Sequence, residues 1–360
     1  MKFLEIIGTW VNEHFSNEDA IYLILLLTVV VLVLATLGSF LAPVLTGLVV
    51  AFLLQGLVSY LETHKVPGGL AVFTAFTLFI GGVLTLIFFI VPLLWQQLQG
   101  LVELLPRVVV LLREGLEELA VRFPEFVTQE QTSALLDQGT REIGNLSASV
   151  VETAFAQVFS VFGLLIYLIL TPISVFFFLK DREQLLAWLR SLVPFERPLL
   201  SAVAVEMNEQ LGNYVRGKFI EILIVGAATF ISFTLLGLNY AALLGVLVGI
   251  SVLIPFVGAA VVTLPVFAVG VIQFGWSWDL AWIMIVYGII QFLDGNVLVP
   301  LLFSEVVDLH PITIIVAVLA FGGIWGVWGV FFAIPLATLI KAIYKAWPRA
   351  AVSEPKAEVA

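Results

Sequence analysis

Long apolar stretches alternate with short polar ones along the chain, and their lengths decide what they can be. Residues 21–41 carry no charge, and a helix of that length reaches about 31 Å, the thickness of a bilayer's hydrocarbon core. Comparable runs cover 44–61, 70–94, 156–179, 219–238 and 280–300. They are continuous and do not alternate every second residue, which argues against a β-barrel. Backbone groups in lipid must be satisfied without water, so helices remain. The pattern predicts an all-α polytopic membrane protein with about six full transmembrane helices.

The stretches between the runs divide the chain. Residues 1–94 read as a short interfacial helix (Phe3, Ile6, Ile7, Trp10) and three spans, the first two separated by Pro43. Acidic Glu13, Glu18 and Asp19 precede the first run, so it reads as a retained helix and not a secretory leader. Residues 95–155 carry four Arg against nine Asp and Glu, with an apolar stripe through Leu98, Leu101, Leu105, Leu112 and Leu116. This predicts an extracytoplasmic module of two helices parted near Pro124. Residues 156–182 form the fourth span. Residues 183–218 read as a cytoplasmic-side amphipathic helix, opened by Pro198 at a favourable first-turn position. Residues 219–345 form a core, and 346–360 a flexible cytoplasmic tail. Lys and Arg concentrate in 180–218 and at Lys341, Lys345 and Arg349, which expects both termini on the cytoplasmic side of an inner membrane.

In the second half, helix counting fails. Residues 241–275 are too few for two spans and a turn, and Ser251, Pro255, Gly258 and Pro265 interrupt them. Residues 311–344 repeat the pattern with Gly322, Gly323, Gly326, Gly329 and Pro335. Proline removes a backbone donor and glycine loosens a helix. Both stretches read as re-entrant helical hairpins of opposite orientation, the arrangement that marks binding sites in transporters.

Composition narrows the chemistry. The chain is 61% hydrophobic and 12% charged, with mean hydropathy +1.12, far more apolar than soluble proteins. A net charge of −10 disfavours nucleic acid as a partner. Without cysteine, and with only His14, His64 and His310 scattered along it, the chain predicts no metal site and no cofactor. Trp276, Trp278 and Trp282 read as interface anchors. Residues 212–218 imitate a phosphate-binding loop, but Phe219 lacks the hydroxyl that would hold Mg²⁺ and no strand precedes it. ATP hydrolysis is not expected, and no nucleophile–base set points to an enzyme.

Asp294 stands out, a carboxylate inside an apolar span; such a group must be paired, protonated or facing water. Gln291 lies one turn earlier and Asn296 two positions later, and together they could hold a polyhydroxylated solute or a cation. The alternative is an interhelical clamp. Arg216, Lys218 and Glu221 read as a charge cluster at the cytoplasmic interface, and the hairpin tips (Ser251, Pro255, Gly258; Gly322, Gly326, Gly329) expose backbone groups to a cargo.

Several motifs are similar to those of the AI-2E family of transporters, the PerM-like permeases. They are Pro172 to Asp181, Tyr214-Val-Arg216-Gly217, Ile254-Pro255-Phe-Val-Gly258, Gln291-Phe-Leu-Asp294-Gly295-Asn296, Leu309-His310-Pro311 and Gly326/Gly329/Pro335. The order of segments matches over nearly the whole chain, although Lys218 and Asp294 stand where many relatives carry Gln and Glu. The resemblance implies an inner-membrane exporter of a small polar solute such as autoinducer-2, assembled as a homo-oligomer such as a pentamer. Two other readings stand beside it: a Na⁺ or K⁺/H⁺ antiporter using Asp294, and a non-transporting membrane scaffold.

Overall fold

The computed structural model describes residues 18–122, 161–192, 198–303 and 309–346. Among them every regular element is helical, as the unbroken apolar runs require. Eight windows are long and apolar enough to cross a membrane. The interfacial helix before residue 18, the second helix of the acidic module with its break at Pro124, and the C-terminal tail lie outside the described residues.

Three boundaries differ from expectation. Helix α1, Glu18–Thr63, runs through Pro43 for 46 residues and holds two windows long and apolar enough to cross a membrane, Ile21–Gly38 and Phe40–Thr63. Pro43 removes a single donor from an otherwise continuous helix. Helix α2, Gly68–Thr85, continues through a π-helical turn, Leu86–Ile90, into α3, Val91–Arg122. The acidic module therefore starts as an extension of the third span, with no break at Trp95. After α4 (Val161–Lys180) and α5 (Arg182–Leu192), helix α6 runs unbroken over Pro198–Leu235. It joins the predicted surface helix to the predicted fifth span, and it carries the decoy loop 212–218 as plain helix.

Both π turns stop two residues before a proline. The Val91 N–H reaches the Leu86 carbonyl ahead of Pro92. The Val299 N–H reaches the Asp294 carbonyl ahead of Pro300, in the π turn Asp294–Leu298 between α9 (Trp278–Leu293) and α10 (Val299–Phe303). A proline ring collides with the carbonyl four residues back, and widening the preceding turn by one residue relieves that collision.

The chain forms two compact units, each discontinuous in sequence. One contains Gly47–Phe176 and Val215–Ser304. Its core gathers Val225 and Phe233 of α6, Leu244 and Val248 of α7 (Ala241–Ser251), Val266 and Val269 of α8 (Val257–Phe274), and Ile283 and Tyr287 of α9. Helices α6 and α7 pack backbone to backbone: a methyl group on Gly249 would stand 2.8 Å from the Ile222 carbonyl oxygen. The other unit contains Met1–Thr46, Phe177–Tyr214 and Glu305–Ala360. There Leu23 of α1 packs with Leu200 and Val203 of α6 and with Leu339 and Ile343 of α11, Pro311–Ala346.

Candidate functional site

Both interrupted stretches reverse direction. In the first, α7 and α8 are joined by Val252–Phe256, with Phe256 at φ 64° and ψ −49°. The Gly258 Cα lies so close to the Ser251 carbonyl oxygen that any side chain would overlap it. In the second, α11 holds a non-helical Gly326 at φ 60° and ψ −133°, a conformation nearly confined to glycine. Ala317 and Ala333 then share one buried cluster with Leu309, although 16 residues of straight helix would part the alanines by about 24 Å. Gly329 meets the Phe321 carbonyl oxygen just as Gly258 meets that of Ser251. Thus Ser251, Pro255 and Gly258 form one tip, in the first-described unit, and Gly322, Gly326 and Gly329 form the other, in the second. Ser251 is buried and donates its hydroxyl to its own helix at the Val248 carbonyl (2.7 Å).

Charged residues gather around α6 and the α9 π turn. Lys218 Nζ lies 2.8 Å from Glu221 Oε2, and both side chains are almost wholly buried. The ammonium also stands 5.6 Å from the centre of the Phe303 ring, at cation–π range. Asp294 acts electrostatically on both members of the pair. Two members of the expected cluster pair with each other, as a local ion pair. Lys218 and Glu221 sit near the middle of α6 and face the interior, one turn apart, whereas Arg216 is exposed. Two charges persist in an apolar helix when paired inward.

Lys218, Glu221, Val225 and Thr229 recur every three or four residues and are all buried, so one buried face of α6 mixes three polar side chains with an apolar one. Thr229 was missed by the sequence reading. Its hydroxyl, the Gln291 amide nitrogen and Asp294 Oδ1 are shielded and have no hydrogen-bond partner among the described residues. Gln291 and Asp294 are neighbours at i and i+3 on one face. Asn296 does not join them: it is exposed and donates to the Phe292 carbonyl (2.9 Å). Residues two apart on a helix point to different sides.

Tyr287, one turn before Gln291, donates its hydroxyl to the Ala259 carbonyl (3.0 Å) and so ties α9 to the start of α8. Among the described residues no group of His, Cys, Asp and Glu is arranged to hold a metal. A separate apolar groove of about 330 Å³ along Ile24, Leu27, Thr28, Val31 and Leu32 contains none of the residues above.

Residues 21–349 match the family described as AI-2E family transporter. The chain is 41% identical over 351 residues to "Putative permease PerM" of Escherichia coli strain K12, covering 98% of this chain and 99% of that protein. It is 26% identical over 305 residues to "Putative transport protein YrrI" of Bacillus subtilis strain 168, covering 84% of each. A second Bacillus subtilis protein, "Putative transport protein YueF", is 27% identical over 84% of this chain and 82% of its own length. With apolar helices of membrane length and a match over nearly its whole extent, this chain is a membrane-spanning member of the AI-2E transporter family.

Proposed function

We propose that the protein exports a small hydroxyl-bearing solute of the autoinducer-2 kind across the inner membrane, by alternating access and without nucleotide hydrolysis. One observation carries this reading. Asp294 offers an acceptor and Gln291 a donor, one helical turn apart, and neither is used. A hydroxyl group fits both, since its hydrogen donates to the carboxylate while its oxygen accepts from the amide. Leaving such atoms unmet costs about 1–3 kcal/mol each, so a ligand that satisfies them gains that amount. Both atoms are shielded in this conformation, so a solute reaches them only when the packing around α9 opens. Alternating access supplies that opening.

The expected placement of both termini in the cytoplasm and the assembly into a homo-oligomer belong to the same proposal. The test is efflux of autoinducer-2 and short polyols from loaded proteoliposomes. Replacing both Asp294 and Gln291 with alanine should slow efflux at least about tenfold, the equivalent of ~1.4 kcal/mol. Unchanged efflux in the double variant defeats the reading. Cation exchange without any solute movement would replace it with an antiporter.

A further inference from the structure

We infer that the tip of the second hairpin is a further solute site, where the Trp325 indole donates its N–H to an oxygen of a ring-shaped polyol and offers its flat face to the ring's C–H side. It rests on the carrier reading for the ligand being cargo, and deepens that reading by naming its class. The starting point is an unused donor. Trp325 Nε1 is shielded and has no hydrogen-bond partner among the described residues. The tryptophans read as interface anchors behave otherwise: Trp276 and Trp278 are each 82% exposed. Anchoring at a membrane surface therefore does not account for Trp325.

The backbone sets up the rest. The arms touch where Gly329 meets the Phe321 carbonyl oxygen, so residues 323–328 project beyond that contact as the tip. Trp325 lies flat against Phe321, with ring centres 5.9 Å apart and planes 15° from parallel. Trp328 lies flat against Phe332 of the other arm, at 6.1 Å and 17°. The two indoles flank Gly326 in sequence, and no atom lies within 4 Å of the place where a side chain on Gly326 would begin. Flat apolar faces beside open space, with one placed donor, are the usual make-up of a small-ligand site. A ring polyol fits it: its C–H side packs on an aromatic face, while a ring or hydroxyl oxygen accepts the N–H. An open-chain polyol brings the oxygen without the flat side. Ile324 and Val327 are exposed, so the tip can turn the indole outward without disturbing a core.

The probe is anhydroerythritol, a five-membered ring diol, with open-chain erythritol beside it, offered to the full-length protein in proteoliposomes and nanodiscs. Efflux of anhydroerythritol is expected to saturate at a lower concentration than that of erythritol. Trp325→Phe keeps a ring face and removes the donor. It should raise the half-saturating concentration about fivefold, the equivalent of one net hydrogen bond, at an unchanged maximal rate. A packing role alone would leave that concentration where it was. A second measurement needs no variant: saturating anhydroerythritol should slow hydrogen exchange of the backbone amides of 323–328 in the wild type. Half-saturation indifferent to Trp325→Phe, equal handling of the two polyols, or tip exchange unaffected by ligand overturns the inference. Efflux accompanied by any of these results defeats this proposal alone. Slowed exchange at the tip without efflux defeats the carrier reading and leaves the site standing.

Discussion

The two hairpins use one device with very different fastening. In each, a glycine brings the second arm against a carbonyl of the first: Gly258 on Ser251, Gly329 on Phe321. The first hairpin is held throughout. Leu244, Val248, Val266 and Val269 are fully buried. Gln97 of α3 accepts the Leu243 N–H (2.8 Å) at the start of α7. Gln273 accepts the Asn239 N–H and donates to the Gly237 carbonyl, both at 2.7 Å. The second hairpin keeps a small alanine cluster, while Leu319, Ile324 and Val327 around its turn are exposed. A polar fastening is the Tyr214 hydroxyl, which donates to the Phe331 carbonyl (2.9 Å). Equal sequence breaks thus produce one arm set rigidly in a core and another attached mainly along one face.

The largest effect is expected at the contact glycines. Gly258→Val should destabilise the protein by about 3 kcal/mol or more, since a side chain there overlaps backbone embedded in a full core. Gly329→Val should cost less, because its arms have room to part; thermal unfolding in detergent ranks the two. Equal losses would break the contrast.

Next come the turn residues. Gly326→Ala should cost about 1–3 kcal/mol, the strain of its backbone angles. Phe256→Gly should leave stability unchanged or raise it by up to about 1 kcal/mol, because glycine takes a positive φ freely. The same melting measurement reads both.

Smaller still, Gln97→Leu should remove an α7 cap and cost about 1 kcal/mol. It should raise hydrogen exchange at the Leu243 amide, with no change in α11. Tyr214→Phe should cost about 1 kcal/mol and raise exchange in α11 instead. Exchange changes that spread across both hairpins after either substitution would show that the two are fastened in common.

Much of this was legible in the residues. The glycines and prolines of 241–275 and 311–344 marked both interruptions of the helices. Asp294 announced itself as a carboxylate in an apolar run. What stayed hidden has physical causes. Pro43 looked like a break, yet a proline costs one backbone bond, which the continuing apolar turns on either side can absorb. The burial of Lys218 and Glu221 stayed hidden because hydropathy read along a line does not tell an inward face from an outward one. Their spacing of three residues was the available signal, since it lets opposite charges meet on an inward face. Asn296 was grouped with Asp294 by nearness in sequence, which helical rotation undoes.

The widened turn ahead of Pro300 also sets a rotational phase. Each helical residue advances the chain by about 100°, so the extra residue held in Asp294–Leu298 fixes where every later side chain of α10 points. Deleting one residue there would swing Phe303 by that angle and carry its ring away from the Lys218 ammonium. A proline three positions upstream thereby aims an aromatic face at a buried cation.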